Sequence, residues 1–288
     1  MRVIPSDISV IVQGPVDWSA DEWTTEGFTL SAIDQLKRHL PGAEIILSTW
    51  RGEKLDGIDI DKLVFSEDPG AQAAWPSFTP NNVNRQIRST SEGLKIATRK
   101  YSLKIRTDMI LLGTKFIDLY NDNCLKIIDG GCGLFTQKIL TNNLSSRNTA
   151  SILERLSGHP LPFHASDHFQ LGLTADLLTL WDLPLQNDED AWFFLDRSYP
   201  NRWRMNELSR LAPEQYILTS AIQKKFPFNI RHYADCGADV IEFSEHIMTS
   251  HFFTVPDLIC PLRFPKYHTN HHFQFEWMRR NDLLKKTM

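Results

Sequence analysis

The stretch Tyr101–Leu111, YSLKIRTDMIL, constrains the fold more than any other part of this sequence. Its alternation places Lys104, Arg106 and Asp108 on one face of a strand and mostly apolar side chains on the other. Charges on a strand of a buried sheet are costly unless a partner neutralises them. The stretch therefore predicts either a solvent-facing ladder of an antiparallel sheet or a strand that ends at a diphosphate-binding site, with or without a divalent metal.

Three apolar runs precede this strand, and each ends at turn-forming residues. They are Ile8–Val12 before Gln13-Gly14-Pro15, Glu44–Trp50 before Arg51-Gly52, and Lys62–Ser66 before Glu67-Asp68-Pro69-Gly70. Such runs are typical of buried parallel strands. Apolar residues recur at helical spacing in 28–40 and 84–99, which gives the order β-α-β-β-α-β. This order predicts an α/β fold with a mostly parallel, Rossmann-like sheet flanked by helices.

The pattern is less regular beyond residue 125. We predict strands at Gly130–Gln137 and Ser166–Leu173, a helix that Thr174 caps and that runs through Trp181, and a helix from Pro213 through Lys225. No linker or internal repeat divides the chain, so we predict a single domain over residues 1–288.

Charge and cysteine spacing exclude several classes of protein. A net charge of -4 and a pI near 6.2 argue against nucleic-acid binding. No apolar run approaches the ~20 residues that span a bilayer, and Pro5 and Asp7 interrupt the N-terminal run, which predicts a strand and not a signal peptide. Four cysteines without CxxC spacing predict free thiols in a reducing compartment, so we expect a cytoplasmic protein.

Polar residues follow the predicted strands at their carboxyl ends, which is where parallel sheets bind ligands. Gln13 and Gly14 follow the first strand, Thr49 lies near the end of the second, and Asp68 and Asp108 follow the third and fourth. We therefore predict a binding site at this edge of the sheet. The GxGxxG and Walker motifs are absent from the sequence, which predicts neither a nicotinamide cofactor nor a P-loop.

Five segments carry a resemblance to a known family. They are ISVIVQGP at 8–15, LPGAEIILSTWRG at 40–52, SEDPG at 66–70, NRQIRSTSEGLKIA at 84–97 and YSLKIRTDM at 101–109, with weaker similarity in SDHFQLG at 166–172 and PEQY at 213–216. In this order they resemble the WavE family of bacterial lipopolysaccharide-biosynthesis proteins, which look like GT-A-fold glycosyltransferases. The resemblance implies a nucleotide-sugar donor and a surface-glycan acceptor. We therefore expect a GT-A-like hexosyltransferase that binds the nucleotide sugar through residues 1–125 and a lipopolysaccharide or polysaccharide acceptor through residues 126–288.

The resemblance also raises the question of a metal ion. The GT-A pattern places a DxD motif at the end of the fourth strand, whereas this sequence has Arg106-Thr107-Asp108 and keeps only the last acid. One alternative is that Asp108 binds Mn or Mg together with a later ligand, for which we choose His251. The other is that Arg106 neutralises the diphosphate directly, because a guanidinium binds phosphate oxygens bidentately.

Other residues are candidates for the donor site. A departing diphosphate needs cations, and the strand residue Lys104 and the helix residues Arg85 and Arg88, with their neighbours Asn84 and Ser89, can supply charge and hydrogen bonds. The alternative for the two arginines, which are three residues apart, is an ordinary solvated helix face.

Turn residues are the next candidates for the donor site. Asp68 is a candidate for binding a ribose hydroxyl or a base, and Gln13 and Gly14 for close backbone approach. The alternative at these positions is an ordinary turn.

Two carboxylates are candidates for the general base that activates the acceptor hydroxyl. Asp167 is the first, because it precedes a predicted strand and stands beside His168. Glu214 is its rival, behind Pro213 at the start of a predicted helix. The alternatives are a turn residue at Asp167 and a carboxylate that stabilises the helix dipole at Glu214. An enzyme that retains the anomeric configuration would not strictly need a base.

The C-terminal tail and the aromatic content leave further alternatives. Residues 273–286 interleave aromatic and basic side chains, which predicts either a helix in contact with the inner membrane beside a lipid-linked acceptor or a last helix packed on the domain. A nucleotidyltransferase would need a glycine-rich basic loop after the first strand, but QGPVDWSADEW at 13–23 is acidic. A non-catalytic glycan-binding module would explain the aromatic residues but not the KIRTD strand.

Overall fold

The computed structural model describes most of the chain. The described residues are 2–20, 24, 27–72, 79–128, 133–144, 146–147, 161–200, 207–256 and 262–264. The predicted tail helix of residues 273–286 and part of the predicted strand Gly130–Gln137 lie outside them. None of the helices in these ranges is long and apolar enough to cross a membrane.

A seven-stranded sheet forms the centre of the molecule. Its strands are β1 (Ile8–Gln13), β2 (Glu44–Trp50), β3 (Lys62–Ser66), β4 (Tyr101–Arg106), β6 (Ile139–Asn142), β7 (Gln170–Leu173) and β8 (Phe252–Val255), in the spatial order β3-β2-β1-β4-β7-β6-β8. Two short strands, β5 (Ile110–Leu111) and β9 (Leu262–Arg263), form a separate antiparallel pair.

Strand direction confirms the predicted fold class. β1 is parallel to β2 and β4, and β2 is parallel to β3. β7 is antiparallel to both of its neighbours, β4 and β6, whereas β8 is parallel to β6. One reversed strand therefore lies within an otherwise parallel, Rossmann-like sheet, as the sequence predicts.

The strands of the first half have the predicted positions, but those of the second half differ. The predicted strand Ser166–Leu173 shortens to Gln170–Leu173. Gln137 forms only an isolated bridge to Ile127, and the strand lies further on, at Ile139–Asn142. The apolar residues of this short strand carry no alternation that would distinguish it from a turn.

Helices cover both faces of the sheet. They are α1 (Phe28–His39), α2 (Val83–Lys95), α3 (Lys115–Asn123), α4 (Thr174–Trp181), α5 (Asp188–Ala191), α6 (Pro213–Gln223) and α7 (Ala238–His251). α4 begins at Thr174, so its N-cap is Leu173 and not the predicted threonine. Thr174 instead hydrogen-bonds Ser102 of β4 at 2.8 Å.

The alternation within β4 divides its side chains between two hydrophobic layers. Leu103 and Ile105 join a cluster that includes Ile33 of α1 and Phe116 of α3. The second cluster, on the other face, contains Ile87, Trp181 and Ile217, which belong to α2, α4 and α6. The sheet is therefore buried on both sides, as a Rossmann-like arrangement requires.

Glu44 fastens the amino ends of β1 and β2. Its carboxylate, 8% exposed, accepts hydrogen bonds from Ser9 Oγ and from both the backbone N–H and the Oγ1 of Thr98, and it pairs with Lys62 Nζ at 2.8 Å. Burial raises the pKa of this carboxyl, but the bonds from Lys62, Ser9 and Thr98 outweigh burial and lower it to about 2. Because Thr98 is used in this way, α2 ends at Lys95 and does not extend to the predicted Arg99.

Candidate active site

A cavity of about 710 Å³ lies at the carboxyl ends of β1 and β4. β2 and β3 lie on one side of β1 in the sheet, and β4 lies on the other side of β1. The cavity therefore lies at the topological switch point, where such sheets bind ligands. Its walls come from the ends of β2 and β4 and from the loop after β1, the start of α2, the segment after β6, the loop before β7 and the start of α6 with the residues before it.

One part of the cavity wall is backbone at Gly14, where the conformation and the space favour glycine. Gly14 has φ +124°, and a Cβ there would lie 2.9 Å from Thr107 Oγ1. The Gly14 N–H donates to Ser48 O at 3.1 Å, which fixes this turn to β2. Gln13 also lines the cavity, and its Oε1 accepts from Ser89 Oγ at 2.6 Å. Ser89 thus orients Gln13 from α2 and does not itself line the cavity.

Arg106 and Asp108 line the cavity as a pair. Nε donates to Oδ1 at 2.8 Å and Nη2 to Oδ2 at 2.6 Å, and the two side chains are 23% and 26% exposed. The ring of Phe264 lies 5.0 Å from the Arg106 guanidinium. The guanidinium is therefore held in one orientation by two contacts, and Asp108 offsets part of its charge.

Arg85 reaches the cavity from α2 and is held by a second bidentate pair. Its Nε and Nη2 donate to the two carboxylate oxygens of Asp68 at 2.8 and 2.7 Å, and Nη1 donates to Asn82 Oδ1 at 3.0 Å. The hydrogen bond from Arg85 lowers the pKa of Asp68. Asp68 itself lines a neighbouring cavity with Arg88, so the structure does not bring these two into the main cavity with Arg85.

Two carboxylate–imidazole pairs stand in another part of the wall. His164 Nε2 lies 3.2 Å from Glu214 Oε2, and His168 Nδ1 lies 3.4 Å from Asp167 Oδ1. Burial raises the pKa of the Glu214 carboxyl, but the adjacent His164 imidazole outweighs burial and holds that pKa below its ordinary value. Burial lowers the pKa of His168. The structure therefore brings together Asp167 and Glu214, the two predicted base candidates.

Lys104 is not among the residues that line the cavity. It is fully buried, its Nζ donates to the backbone oxygen of Asp167, and it lies 4.6 Å from the centre of the Trp181 ring. Burial lowers its pKa to about 8. The structure therefore places this predicted diphosphate ligand behind the cavity wall, in the layer that α4 covers.

Two further residues predicted for the donor site, Asn84 and Thr49, lie within the packed structure of the protein. Asn84 donates from Nδ2 to Gln186 O at 3.0 Å and accepts from Gln186 N at 2.7 Å, which ties α2 to the segment before α5. Thr49 is fully buried within β2. Neither residue lines the cavity.

The described residues do not form a ready site for a divalent ion. Arg106 already bonds both oxygens of Asp108. His251 ends α7 and packs edge-on against Phe135 at 5.4 Å, away from the cavity. Burial lowers its pKa to about 4. Within the described ranges, no group of three or more His, Cys, Asp or Glu side chains can hold a metal ion.

Several residues of the cavity wall were not predicted from the sequence. They are Asp17, Asn81, Asn82, Arg147, His164, Glu207 and Ser209. Asn81 Nδ2 donates to Gln186 Oε1 at 2.9 Å and to Ser209 Oγ at 2.7 Å, which closes one side of the wall. The polar run Asn81-Asn82 before α2 is a signal that points to the carboxyl edge of the sheet. His164 has no such signal, because its partner is distant in sequence.

Solved structures offer only a general likeness. A 4-diphosphocytidyl-2C-methyl-D-erythritol synthase from Anaerococcus prevotii is 12% identical, with 84% of this chain and 98% of that chain covered and a TM-score of 0.34. The glycosyltransferase GlyE of Streptococcus pneumoniae is 10% identical over 97% of this chain and 63% of that chain, with a TM-score of 0.35. A cytidylyltransferase from Leptospira borgpetersenii is 13% identical over 92% and 99%, with a TM-score of 0.34. Scores below 0.5 carry no argument about chemistry.

Sequence comparison identifies the family. No curated protein matches this chain. The model of the family described as WavE lipopolysaccharide synthesis matches residues 8–283, which include every strand of the sheet and every residue that lines the cavity. This chain belongs to the WavE lipopolysaccharide synthesis family.

Proposed function

We propose that this protein is a glycosyltransferase that moves a hexose from a nucleoside diphosphate sugar to a lipopolysaccharide or surface-polysaccharide acceptor. The observation that carries the proposal is the cavity at the switch point of the sheet, in a chain of a lipopolysaccharide synthesis family. Its volume of about 710 Å³ lies within the ~300–1,000 Å³ of small-molecule sites. A nucleotide sugar has that size, and the wall offers it cations, carboxylates and amides.

The donor diphosphate would bind near Arg106 and Arg85. Charge develops on the leaving diphosphate as the glycosidic bond breaks, and positioned cations stabilise it. Both guanidinium groups line the cavity, and each is already oriented by a carboxylate. Pre-oriented donors lose little freedom when they bind phosphate oxygens. Gly14 would let the donor approach the backbone closely.

The charge on the donor can be neutralised in two ways. We favour direct neutralisation by the arginines, because Asp108 is bonded by Arg106 and no complete set of metal ligands occurs in the described ranges. A Mn or Mg ion that recruits Asp108 away from Arg106 is the other way. A bound ion would add Lewis-acid stabilisation of the leaving diphosphate.

The acceptor would reach the cavity beside Asp167 and Glu214. Each carboxylate is paired with an imidazole and buried, so this part of the wall can take a proton from a hydroxyl group. The partner is a glycan or a lipid-linked glycan, and the enzyme would act in the cytoplasm with peripheral contact to the inner membrane.

A nucleotide-binding panel tests the proposal. Thermal unfolding is followed with UDP, GDP, CMP and ADP, each with Mn, with Mg and with EDTA, for the wild type and Asp108→Ala. Asp122→Ala is the matched control, because Asp122 is an exposed aspartate on α3 outside the cavity. We expect one nucleotide to raise the midpoint in the wild type and the control. If the shift persists in EDTA, the result supports direct binding of the diphosphate by the arginines. If EDTA abolishes the shift, the result supports binding through a metal ion.

Other outcomes would change the proposal. No shift with any nucleotide, combined with binding of lipopolysaccharide core oligosaccharide, indicates a non-catalytic glycan-binding module. Release of pyrophosphate from CTP or UTP in the presence of a hexose 1-phosphate indicates a nucleotidyltransferase. Release of nucleoside diphosphate from UDP-hexose or GDP-hexose that requires the core oligosaccharide indicates transfer.

A further inference from the structure

His164 and Glu214 form a buried dyad in the cavity wall. His164 Nε2 lies 3.2 Å from Glu214 Oε2, and the two side chains are 5% and 13% exposed. An imidazole that gives one N–H to a carboxylate is fixed in a single tautomer. With Nε2 protonated toward Glu214, the lone pair is on Nδ1, and Nδ1 is the atom able to accept a proton.

Nδ1 of His164 is the unusual atom of the pair. It is buried and has no hydrogen-bond partner among the described residues. Buried polar atoms are nearly always paired, because an unpaired one destabilises the folded state. The side chain nevertheless lines the cavity. A hydroxyl group that entered there would satisfy this nitrogen.

The backbone that carries His164 is fixed in a strained conformation. The preceding Phe163 has φ +58°, and it is the only non-glycine residue with positive φ among those described. Phe163 N–H donates to Ser244 Oγ at 2.7 Å, and Gln215 Nε2 donates to Pro162 O at 2.9 Å. Strain of this kind persists where the surroundings impose it, and it is concentrated at functional sites. The neighbour of Glu214 on α6 thus also holds the loop of His164.

The second pair is built differently. His168 Nδ1 is 3.4 Å from Asp167 Oδ1 and also 3.3 Å from Ser166 Oγ, so this nitrogen is shared between two partners. The backbone oxygen of Asp167 is bonded by Lys104. The ring of Phe264 lies 5.5 Å from the His168 ring. This pair has several contacts that fix it in the wall, whereas the His164 side chain has one polar contact among the described residues and a buried nitrogen without a partner.

We infer that His164 is the catalytic base of acceptor activation and that Glu214 is its positioning residue, an inference that rests on the proposed glycosyl transfer. The acceptor O–H bond breaks, and its proton joins the Nδ1 lone pair. The acceptor oxygen forms a bond to the anomeric carbon. The bond from that carbon to the diphosphate oxygen breaks, and its electron pair leaves with the nucleoside diphosphate. The resulting imidazolium faces the Glu214 carboxylate, and the anomeric configuration inverts.

The charges near the dyad favour this proton transfer. Glu214 is anionic and gains an opposite charge when the imidazole is protonated. The charged groups near the two pairs include Asp167 and His168 before β7, Lys104, Arg106 and Asp108 on and after β4, Arg147 after β6 and Glu207 before α6. Arg106 is paired with Asp108, and Glu214 is the carboxylate that contacts His164.

Chemical rescue tests the inference. Nucleoside diphosphate release from UDP-glucose, UDP-galactose and GDP-mannose is measured with lipopolysaccharide core oligosaccharide as acceptor, for the wild type, His164→Ala, Glu214→Gln and the exposed control His246→Ala. We expect His164→Ala to lose at least about 100-fold in kcat. Added imidazole restores part of that rate, and the acid limb of the pH profile then follows the added base. Nucleotide binding stays within about twofold.

The outcomes separate this inference from the proposed function. A wild type that neither binds nucleotide nor releases nucleoside diphosphate overturns both. An active wild type with a His164→Ala variant that keeps its rate, or that imidazole does not rescue, overturns the inference alone. If His164→Ala does not fold, Glu214→Gln decides, because a preserved rate and an unchanged acid limb overturn it as well. A product with retained anomeric configuration also overturns the inference about His164.

Discussion

The buried polar groups at the amino ends of β1 and β2 differ in their pairing from those in the cavity at the carboxyl ends. At the amino ends, Glu44 accepts bonds from Ser9 and Thr98 and pairs with Lys62, so that its carboxylate is fully engaged. At the carboxyl ends, the cavity contains His164, whose Nδ1 has no partner among the described residues. Both ends hold buried charged or polar groups, but only the second leaves capacity for a ligand. Complete pairing is expected of a group that stabilises the fold, and incomplete pairing is expected of a group that awaits a ligand.

The largest effect is expected from Glu44→Gln. A pKa lowered from 4.5 to about 2 corresponds to about 3 kcal/mol of folding free energy at neutral pH. Because the folded-state pKa is depressed, this stabilisation is complete above pH 4.5 and is lost as pH falls toward about 2. Urea unfolding at pH 7 and at pH 3 measures it, and the variant should differ from the wild type less at pH 3.

The comparison also requires that Glu44→Gln leave the cavity unchanged. Nucleotide affinity of the folded variant should equal that of the wild type, since Glu44 lies at the opposite end of β2. A variant as stable as the wild type at pH 7 would show that the engaged carboxylate contributes no net stability.

Arg106→Gln should have the opposite effect to Glu44→Gln. It should weaken the binding of nucleoside diphosphate and change the free energy of unfolding little. A hydrogen bond to a charged group contributes about 1.5–3 kcal/mol, so nucleoside diphosphate affinity should fall about 10- to 150-fold. Calorimetric titration with the nucleotide found in the binding panel measures this. Arg99→Gln, at the exposed amino end of the same strand, is the control. Equal losses in the two variants would mean that the ends of β4 do not differ.

A smaller effect is expected where the cavity wall favours glycine. Gly14→Ala should cost about 1–3 kcal/mol, because φ is +124° and the new Cβ would meet Thr107 Oγ1 at 2.9 Å. Gly57→Ala is the matched control, since Gly57 has φ +75° with no atom near its Cβ position. Denaturant unfolding of both variants shows whether the larger φ and the close contact at Gly14 together cost more than a left-handed glycine in open space. A cost for Gly57→Ala equal to that for Gly14→Ala would remove the role of Thr107.

The smallest change in the free energy of unfolding is expected for a charge at the protein surface. Asp118→Asn removes an exposed ion pair, Arg2 Nη2 to Asp118 Oδ1 at 3.3 Å, in which both side chains are mostly exposed. Such pairs contribute less than about 1 kcal/mol. Urea unfolding at low and high salt should place this variant close to the wild type. A cost similar to that of Glu44→Gln would show that burial does not explain the strength of the Glu44 interactions.

The fold could be predicted where the sequence signal is local. β2 and β3 have the predicted bounds, because continuous apolar runs end at turn residues there. The end of α2 could not be predicted, since it depends on hydrogen bonds from Thr98 to Glu44, more than fifty residues earlier in the chain. β6 could not be predicted for a similar reason, because its short run Ile139–Asn142 is a strand only through its pairing with β7 and β8.

The sequence predicts a site at the edge of the sheet where the cavity lies, but it does not predict how the side chains there pair. The strand ends at Gln13 and Asp108 point to this edge, because the topology of a parallel sheet brings its carboxyl ends together. Alternation could not reveal that Lys104 is buried against Trp181. Nor could it reveal that Arg106 is bonded to Asp108, because pairing depends on side-chain direction at the strand end.

The ring of Phe264 gives the site an order of assembly during synthesis. It covers Arg106 at 5.0 Å and follows β9, which pairs with β5 shortly after Asp108. A ribosome exposes β1 to β4 long before it exposes this ring. A nascent chain that has folded its first four strands therefore has Arg106 in place but not the aromatic ring that covers it. Translation of the last described residues completes the site.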